Sequence, residues 1–221
     1  MLTAIVAMQK EADALLSQAD SVRESSLFGK KIFEGTAFGQ TFALVLSGVG
    51  KTNAAAAAML AVSALGAKKL LNFGLAGGIG DAAPLFGVLH VVRAVQCDFD
   101  LSEVNGTPKG TLNEYGTPYF ALTAGASAFP SATLATGDKL TSSLADLPLL
   151  HALGADVRDM EGAAIAHVAH FTGVPLTAYK AISNRVGGSA TEEYAALKER
   201  ALDALAENMR TIFTEAADGG I

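Results

Sequence analysis

The sequence predicts an α/β fold, a mixed sheet covered by helices. Three observations carry that prediction. Short apolar runs alternate with helical patterns along the chain. A hairpin signal, Gly39-Gln40, sits between two of those runs and adds antiparallel pairing to a crossover pattern. No internal repeat, low-complexity tract or linker breaks the order, so one domain is expected over residues 1–221.

The elements follow in sequence. Leu2 to Ala7 is apolar and reads as the first strand, and Gln9 to Gln18 as the first helix. Lys31 to Phe38 and Thr41 to Ser47 are the two strands of the hairpin. Beyond the glycines of Ser47-Gly48-Val49-Gly50-Lys51, the alanine-rich Thr52 to Leu65 is a strong helix former, punctuated by Gly66. Lys69 to Phe73 is a buried strand, and Val88 to Cys97 a longer one. A polar, glycine-containing loop spans Ser102 to Gly116. Ala132 to Thr136 is a strand, Glu161 to Thr172 a helix, and Leu176 to Ile182 a further strand. Glu192 to Ala216, rich in Ala, Leu and Glu, is expected as one long closing helix.

Composition excludes several classes of function. Half of the 221 residues are apolar and 17% are charged, so the chain builds a core and is not disordered. Lys and Arg total 16 against 22 Asp and Glu, a formal charge of −6, and no basic stripe forms. Binding to nucleic acid is therefore not expected. A single cysteine, Cys97, excludes a disulfide framework and a thiolate-rich metal site, and agrees with a reducing cytoplasm. The N-terminal run meets Lys10 and Glu11 at once and reads as a strand, not a signal peptide. No run reaches the ~18 apolar residues of a membrane span.

Several motifs could carry chemistry. Gly78-x-Gly80-x-x-Ala83 matches a dinucleotide fingerprint, but Pro84 and Gly87 leave no room for the helix that fingerprint requires. The glycines from Gly74 to Gly80 then mark a strand end where backbone approaches another segment or a ligand. Glu11 reads as a helix-start acid favoured by the macrodipole. Asp159 and Glu161 flank Met160 at the entry to an apolar helix, as an N-cap pair or as functional carboxylates needing a partner. His90, His151, His167 and His170 have no accompanying ligand set, so no metal is expected. No G-x-S-x-G elbow is present, which argues against an α/β-hydrolase.

Six segments, in order, resemble one family, the 5′-methylthioadenosine/S-adenosylhomocysteine nucleosidases of the purine nucleoside phosphorylase superfamily. They are Ala7-Met8-x-x-Glu11, Ser47-Gly48-Val49-Gly50-Lys51, Asn72-x-Gly74-x-Ala76-Gly77-Gly78, Ala135-Thr136-Gly137-Asp138, Asp159-Met160-Glu161-Gly162-Ala163 and Lys180-Ala181-Ile182-Ser183-Asn184. The resemblance implies a three-layer α/β/α fold with a central mixed sheet, of nucleoside phosphorylase type. It implies hydrolysis of a purine–ribose bond without cofactor or metal, a small-molecule purine nucleoside as partner, and a homodimer whose partner loop helps close the site. The stretch from Asn105 to Tyr119, long for a compact domain, is expected to reach toward the neighbouring site.

By the same resemblance Glu11 is the base that deprotonates water and Asn184 stands at the position of the catalytic acid. Glu161 holds the ribose 2′-hydroxyl, Met160 packs beneath the ribose, the Thr141 backbone meets the purine edge and Tyr194 stacks on the base. Val49, Ala76, Gly77, Leu140, Asp159 and Ser183 complete the substrate contacts. Three positions depart from the family pattern: Asn184 replaces Asp, Leu75 replaces Ser and Lys180 replaces Arg. Leu75 removes a hydroxyl that would bind phosphate, which favours water as nucleophile. Asn184 cannot act as a carboxylic acid, and its amide suits a 6-oxopurine. The alternatives are thus a 6-oxopurine nucleoside hydrolase such as futalosine hydrolase, a nucleoside phosphorylase, or a weakened nucleoside-binding homologue.

Overall fold

The computed structural model describes residues 1–140, 144–187 and 189–219. The strands are β1 (Leu2–Val6), β2 (Ser21–Leu27), β3 (Lys30–Ala37), β4 (Gln40–Leu46), β5 (Lys69–Gly78), β6 (Val88–Gln96), β7 (Tyr119–Ala121), β8 (Ser131–Thr136), β9 (Val157–Asp159) and β10 (Leu176–Arg185). The α-helices are α1 (Gln9–Leu16), α2 (Lys51–Ser63), α3 (Ser102–Asn105), α4 (Leu147–Ala152), α5 (Gly162–Thr172), α6 (Ala190–Glu207) and α7 (Met209–Asp218).

The strands form one mixed sheet in the order β2-β3-β4-β1-β5-β9-β8-β6-β10, with β7 added to β6. β10 also pairs with β5, in parallel, so five strands return on themselves. One half is therefore an open sheet and the other a closed ring. β1 lies between β4 and β5, parallel to both, and its five residues are buried on both faces. That is why it reads as a continuous apolar run and not as an alternation.

Helices cover both faces. On one, Ala54, Ala57, Ala58 and Ala61 of α2 pack with the alanines of α5 against Ile5, Val45 and Leu70. The i, i+3, i+4, i+7 spacing puts these small residues on one side of α2. On the other, Leu15 of α1, Leu205 of α6 and Phe213 of α7 pack on Val6, Phe42 and Phe73.

Several boundaries differ from the sequence expectation, each for a physical reason. β5 does not stop at Phe73 but runs through the glycines to Gly78. A Cβ at Gly78 would lie 2.6 Å from the Ala83 carbonyl oxygen, so the glycines let a buried strand pass its neighbours. β2 was not expected because its residues are polar and nearly all exposed. It forms by pairing with β3 across Phe28-Gly29, and the next turn is Phe38-Gly39, one residue earlier than expected. All four turn residues have positive φ (50°, 75°, 53° and 80°), as a tight two-residue hairpin turn requires. β7, β9 and α4 are too short to give a periodic signal, and α3 occupies part of the predicted 102–116 loop. The closing helix is two helices, broken at Asn208, whose side-chain amide donates to the Ala204 carbonyl at 2.8 Å.

The loop before β7 is tied to its own chain. Leu112 is buried, the Tyr115 hydroxyl lies 3.0 Å from His167 Nε2, and the Tyr119 hydroxyl donates to the Leu153 carbonyl at 3.0 Å. Among the described residues no helix is long and apolar enough to cross a membrane.

Candidate active site

The carboxyl ends of the parallel strands β1, β5 and β10 point to one side of the sheet, where α/β folds commonly open a binding crevice. A cavity of about 230 Å³ lies there. β1 leads into Ala7, Met8 and Glu11; β5 supplies Leu75, Ala76 and Gly77; β9 leads into Met160 and Glu161; β10 supplies Ser183 and Asn184; Val49, Leu140 and Tyr194 close the walls. Each site residue expected from the sequence lines this cavity, save Thr141, which lies outside the described residues. The structure adds Ala7, Met8, Leu75 and Arg158 to them.

Glu11 sits in the first turn of α1, but it is not the solvated helix-start acid of the simplest reading. It is 4% exposed and turned inward. Its Oε1 accepts from the Leu75 amide at 2.8 Å and its Oε2 from the Met8 amide at 3.1 Å. Burial pushes its carboxyl above the usual range, while those two amides and the Lys180 ammonium resist. Gly74 makes this approach possible, since a Cβ there would stand 2.6 Å from Glu11 Oε1. Gly74→Ala is accordingly expected to displace the carboxylate and lower activity by at least tenfold with the fold retained, as a rate assay beside a thermal melt would show.

Glu161 occupies the N-cap position of α5, so the helix begins one residue later than expected. Its Oε1 accepts from the Gly50 amide at 2.8 Å. Burial and then the neighbouring Asp159 charge push its pKa up to about 7.

Asp159 is fully engaged inside the protein. Its Oδ1 accepts from the Thr136 hydroxyl at 2.5 Å, and its Oδ2 from the Gly162 amide at 2.8 Å and from Lys180 Nζ at 2.8 Å. With these bonds made, its carboxylate supports the site from behind. The sequence singled out Lys180 only as a departure from a motif. The signal that it belongs to the site was a lone lysine inside an apolar strand, where a buried ammonium needs a partner.

Asn184 follows a bulge in β10, where the register slips between Ile182 and Asn184. The bulge turns both Ser183 and Asn184 to the cavity. The Ser183 hydroxyl lies 2.9 Å from Asn184 Oδ1, and Asn184 Nδ2 donates to the Arg185 carbonyl at 3.1 Å. Tyr194 reaches in from α6, with its hydroxyl 3.9 Å from Met8 Sδ. Val49 and Leu140 are about half exposed, at 48% and 46%, and form the rim.

A crevice lined by carboxylates, an amide and a tyrosine suits a ligand that carries both hydroxyls and a flat polar ring. Comparison with known proteins agrees. The family model described as Phosphorylase superfamily matches residues 2–218, and the chain belongs to that superfamily. Its curated relatives include the 5′-methylthioadenosine/S-adenosylhomocysteine nucleosidase of Treponema pallidum, 33% identical over 65% of this chain and 66% of that protein. The protein of the same name from Actinobacillus succinogenes is 27% identical over 83% and 85%. Among solved structures, the Neisseria meningitidis 5′-methylthioadenosine/S-adenosylhomocysteine nucleosidase, in complex with methylthio-immucillin-A, superposes with TM-score 0.89 at 23% identity over 97% of this chain and 98% of that one. Futalosine hydrolase of Helicobacter pylori gives 0.88 at 22% over 97% of each. These likenesses bear out the three-layer α/β/α fold.

Proposed function

We propose that the chain hydrolyses the N-glycosidic bond of 5′-methylthioadenosine- and S-adenosylhomocysteine-type nucleosides. The observation that carries this reading is Glu11, a buried carboxylate held by two backbone amides in a cavity that is also lined by Asn184. Glu11 takes a proton from water as the water oxygen bonds to C1′. The C1′–N9 bond breaks and its electron pair leaves with the purine, which is hydrogen-bonded at Asn184 and takes up a proton from solvent, while Glu11 gives its proton back to solvent. Glu161, anchored by the Gly50 amide, accepts from the ribose 2′-hydroxyl, and its negative charge favours the oxocarbenium-like transition state. Met160 packs beneath the sugar and Tyr194 beside the base. The relatives' names and the shared fold support the substrate class.

Water is favoured over phosphate by the N-terminus of α2. Such a helix end is an anion site, but here the chain's own carboxylates fill it. Glu161 accepts from the Gly50 amide and Asp138 Oδ1 from the Lys51 amide at 2.8 Å. Leu75 adds no hydroxyl. A phosphate ion would meet two negative charges where it needs donors.

Assaying purine release across a panel of 5′-modified adenosines and inosines tests the reading. Methylthioadenosine is expected to be among the best substrates, and absence of release from every member would end it. Within that panel, Glu161→Ala is expected to weaken nucleoside binding by about 10- to 150-fold, the loss of a charged hydrogen bond of ~1.5–3 kcal/mol. Binding of free adenine should change little; equal weakening of both would contradict the ribose assignment. We also propose that the protein works in the cytoplasm as a homodimer. Within the Asn105 to Tyr119 loop, Asn113, Glu114, Gly116 and Thr117 are among the exposed residues available to meet a partner. Sedimentation at micromolar concentration is expected to give a dimer, and a monomer would contradict it.

A further inference from the structure

The interior of the site holds an ion pair that the proposed chemistry does not itself require. Lys180 lies on β10 with 2% exposure, beside Gly74 of β5 in the strand register. Its Nζ is 2.8 Å from Asp159 Oδ2, and the two side chains are 3% and 1% exposed. Such a pair is weak evidence for stability, because well-packed apolar residues in its place are often neutral or better. What distinguishes this pair is its surroundings. Asp159 is fixed by the Thr136 hydroxyl and the Gly162 amide, so the ammonium is fixed with it. Glu11 stands against Gly74, the register partner of Lys180, and Glu161 follows Asp159 by two residues, so both carboxylates belong to the surroundings of the ammonium. Tyr194 of α6 faces Glu11 and Glu161. The neighbouring cations are committed elsewhere: Arg158 donates to Cys97 Sγ and the Lys139 carbonyl, and Lys51 of α2 pairs with Asp98.

We propose that Lys180 is a positioning residue for the reaction: its ammonium, pinned by Asp159, is the fixed positive charge against which Glu11 and Glu161 are set in the site. The inference rests on the proposed roles of those two carboxylates. Burial drives both carboxyls toward the protonated form, and Asp159 adds to the drive; Lys180 opposes it in each. Burial also works against the lysine, but Asp159, Glu161 and Glu11 together outweigh it and hold its pKa up. The ammonium therefore stays charged where it is needed. Its partner has the opposite effect on Glu161, which makes the two separable.

The test is the pH profile of kcat/KM, whose acid limb reports the carboxyls of the free enzyme. The wild-type limb is expected near pH 7, where Glu161 titrates. Lys180→Gln keeps a donor for Asp159 Oδ2 without the charge. It is expected to move the limb up by about one pH unit, the lower end of what a neighbouring opposite charge does, so that the rate at pH 6 falls about tenfold further than at pH 9. Lys180→Arg, which keeps the charge, is expected to leave the limb in place. A purely structural pair would lower rates without moving the limb. An unmoved limb in a folded Lys180→Gln protein overturns the proposal. If that variant does not fold, an unmoved limb in Lys180→Met does the same. Failure of the wild type to release purine at any pH would instead remove the hydrolase reading, and this inference with it.

Discussion

Glu11→Gln is expected to lower kcat by about 10²–10⁴-fold, the range of a positioned general base, with nucleoside affinity kept within tenfold. The substitution preserves size and one acceptor oxygen, so the Leu75 amide that donates to Oε1 at 2.8 Å can remain satisfied. What is lost is the ability to take a proton from water. If Glu11 only favoured the start of α1, the change would cost ~0.3–1 kcal/mol of stability and leave the rate untouched. Single-turnover kinetics beside a binding titration separates the two, and a wild-type rate would remove Glu11 from the mechanism.

Asn184→Asp is expected to change the rate strongly, with a sign set by the base. Asn184 Nδ2 donates to the Arg185 carbonyl at 3.1 Å, so a carboxylate oxygen in that place would face another acceptor. Protonation relieves the clash, and the new group is therefore held as an acid beside the purine. With adenine nucleosides an acid near N7 is expected to raise the rate, by as much as ~10²–10⁴-fold. With hypoxanthine nucleosides one acid proton must serve both O6 and the Arg185 carbonyl where the amide had two hydrogens, and an unmatched buried polar atom costs ~1–3 kcal/mol. The adenine outcome is expected for this chain. Faster cleavage of inosine-type substrates than of methylthioadenosine by the unaltered protein would reverse it.

Much of this architecture is legible in the residues. β1 and β6 announce themselves as continuous apolar runs because most of their residues are buried, and α2 as a run of alanines with high helix propensity. β2 leaves none, since its pairing with β3 is a backbone matter and its side chains face water. The glycine run looked like an ending because glycine weakens strands, whereas here crowding by Ala83 and Val186 demands it inside one. The closed ring from β5 through β10 was not readable at all, because it depends on which strand edges meet. Within the site, motif order located the lining residues. Charge did not follow so directly: the two oxygens of Asp159 are spent on Thr136, Gly162 and Lys180. That is a fact of three dimensions, since Thr136, Asp159 and Lys180 lie far apart in the chain.

The proposed hydrolysis is tested most directly by the product formed from methylthioadenosine with and without inorganic phosphate. The account predicts adenine and free 5-methylthioribose at a rate independent of phosphate. Accumulation of a ribose 1-phosphate, or a rate that rises with phosphate concentration, would contradict it.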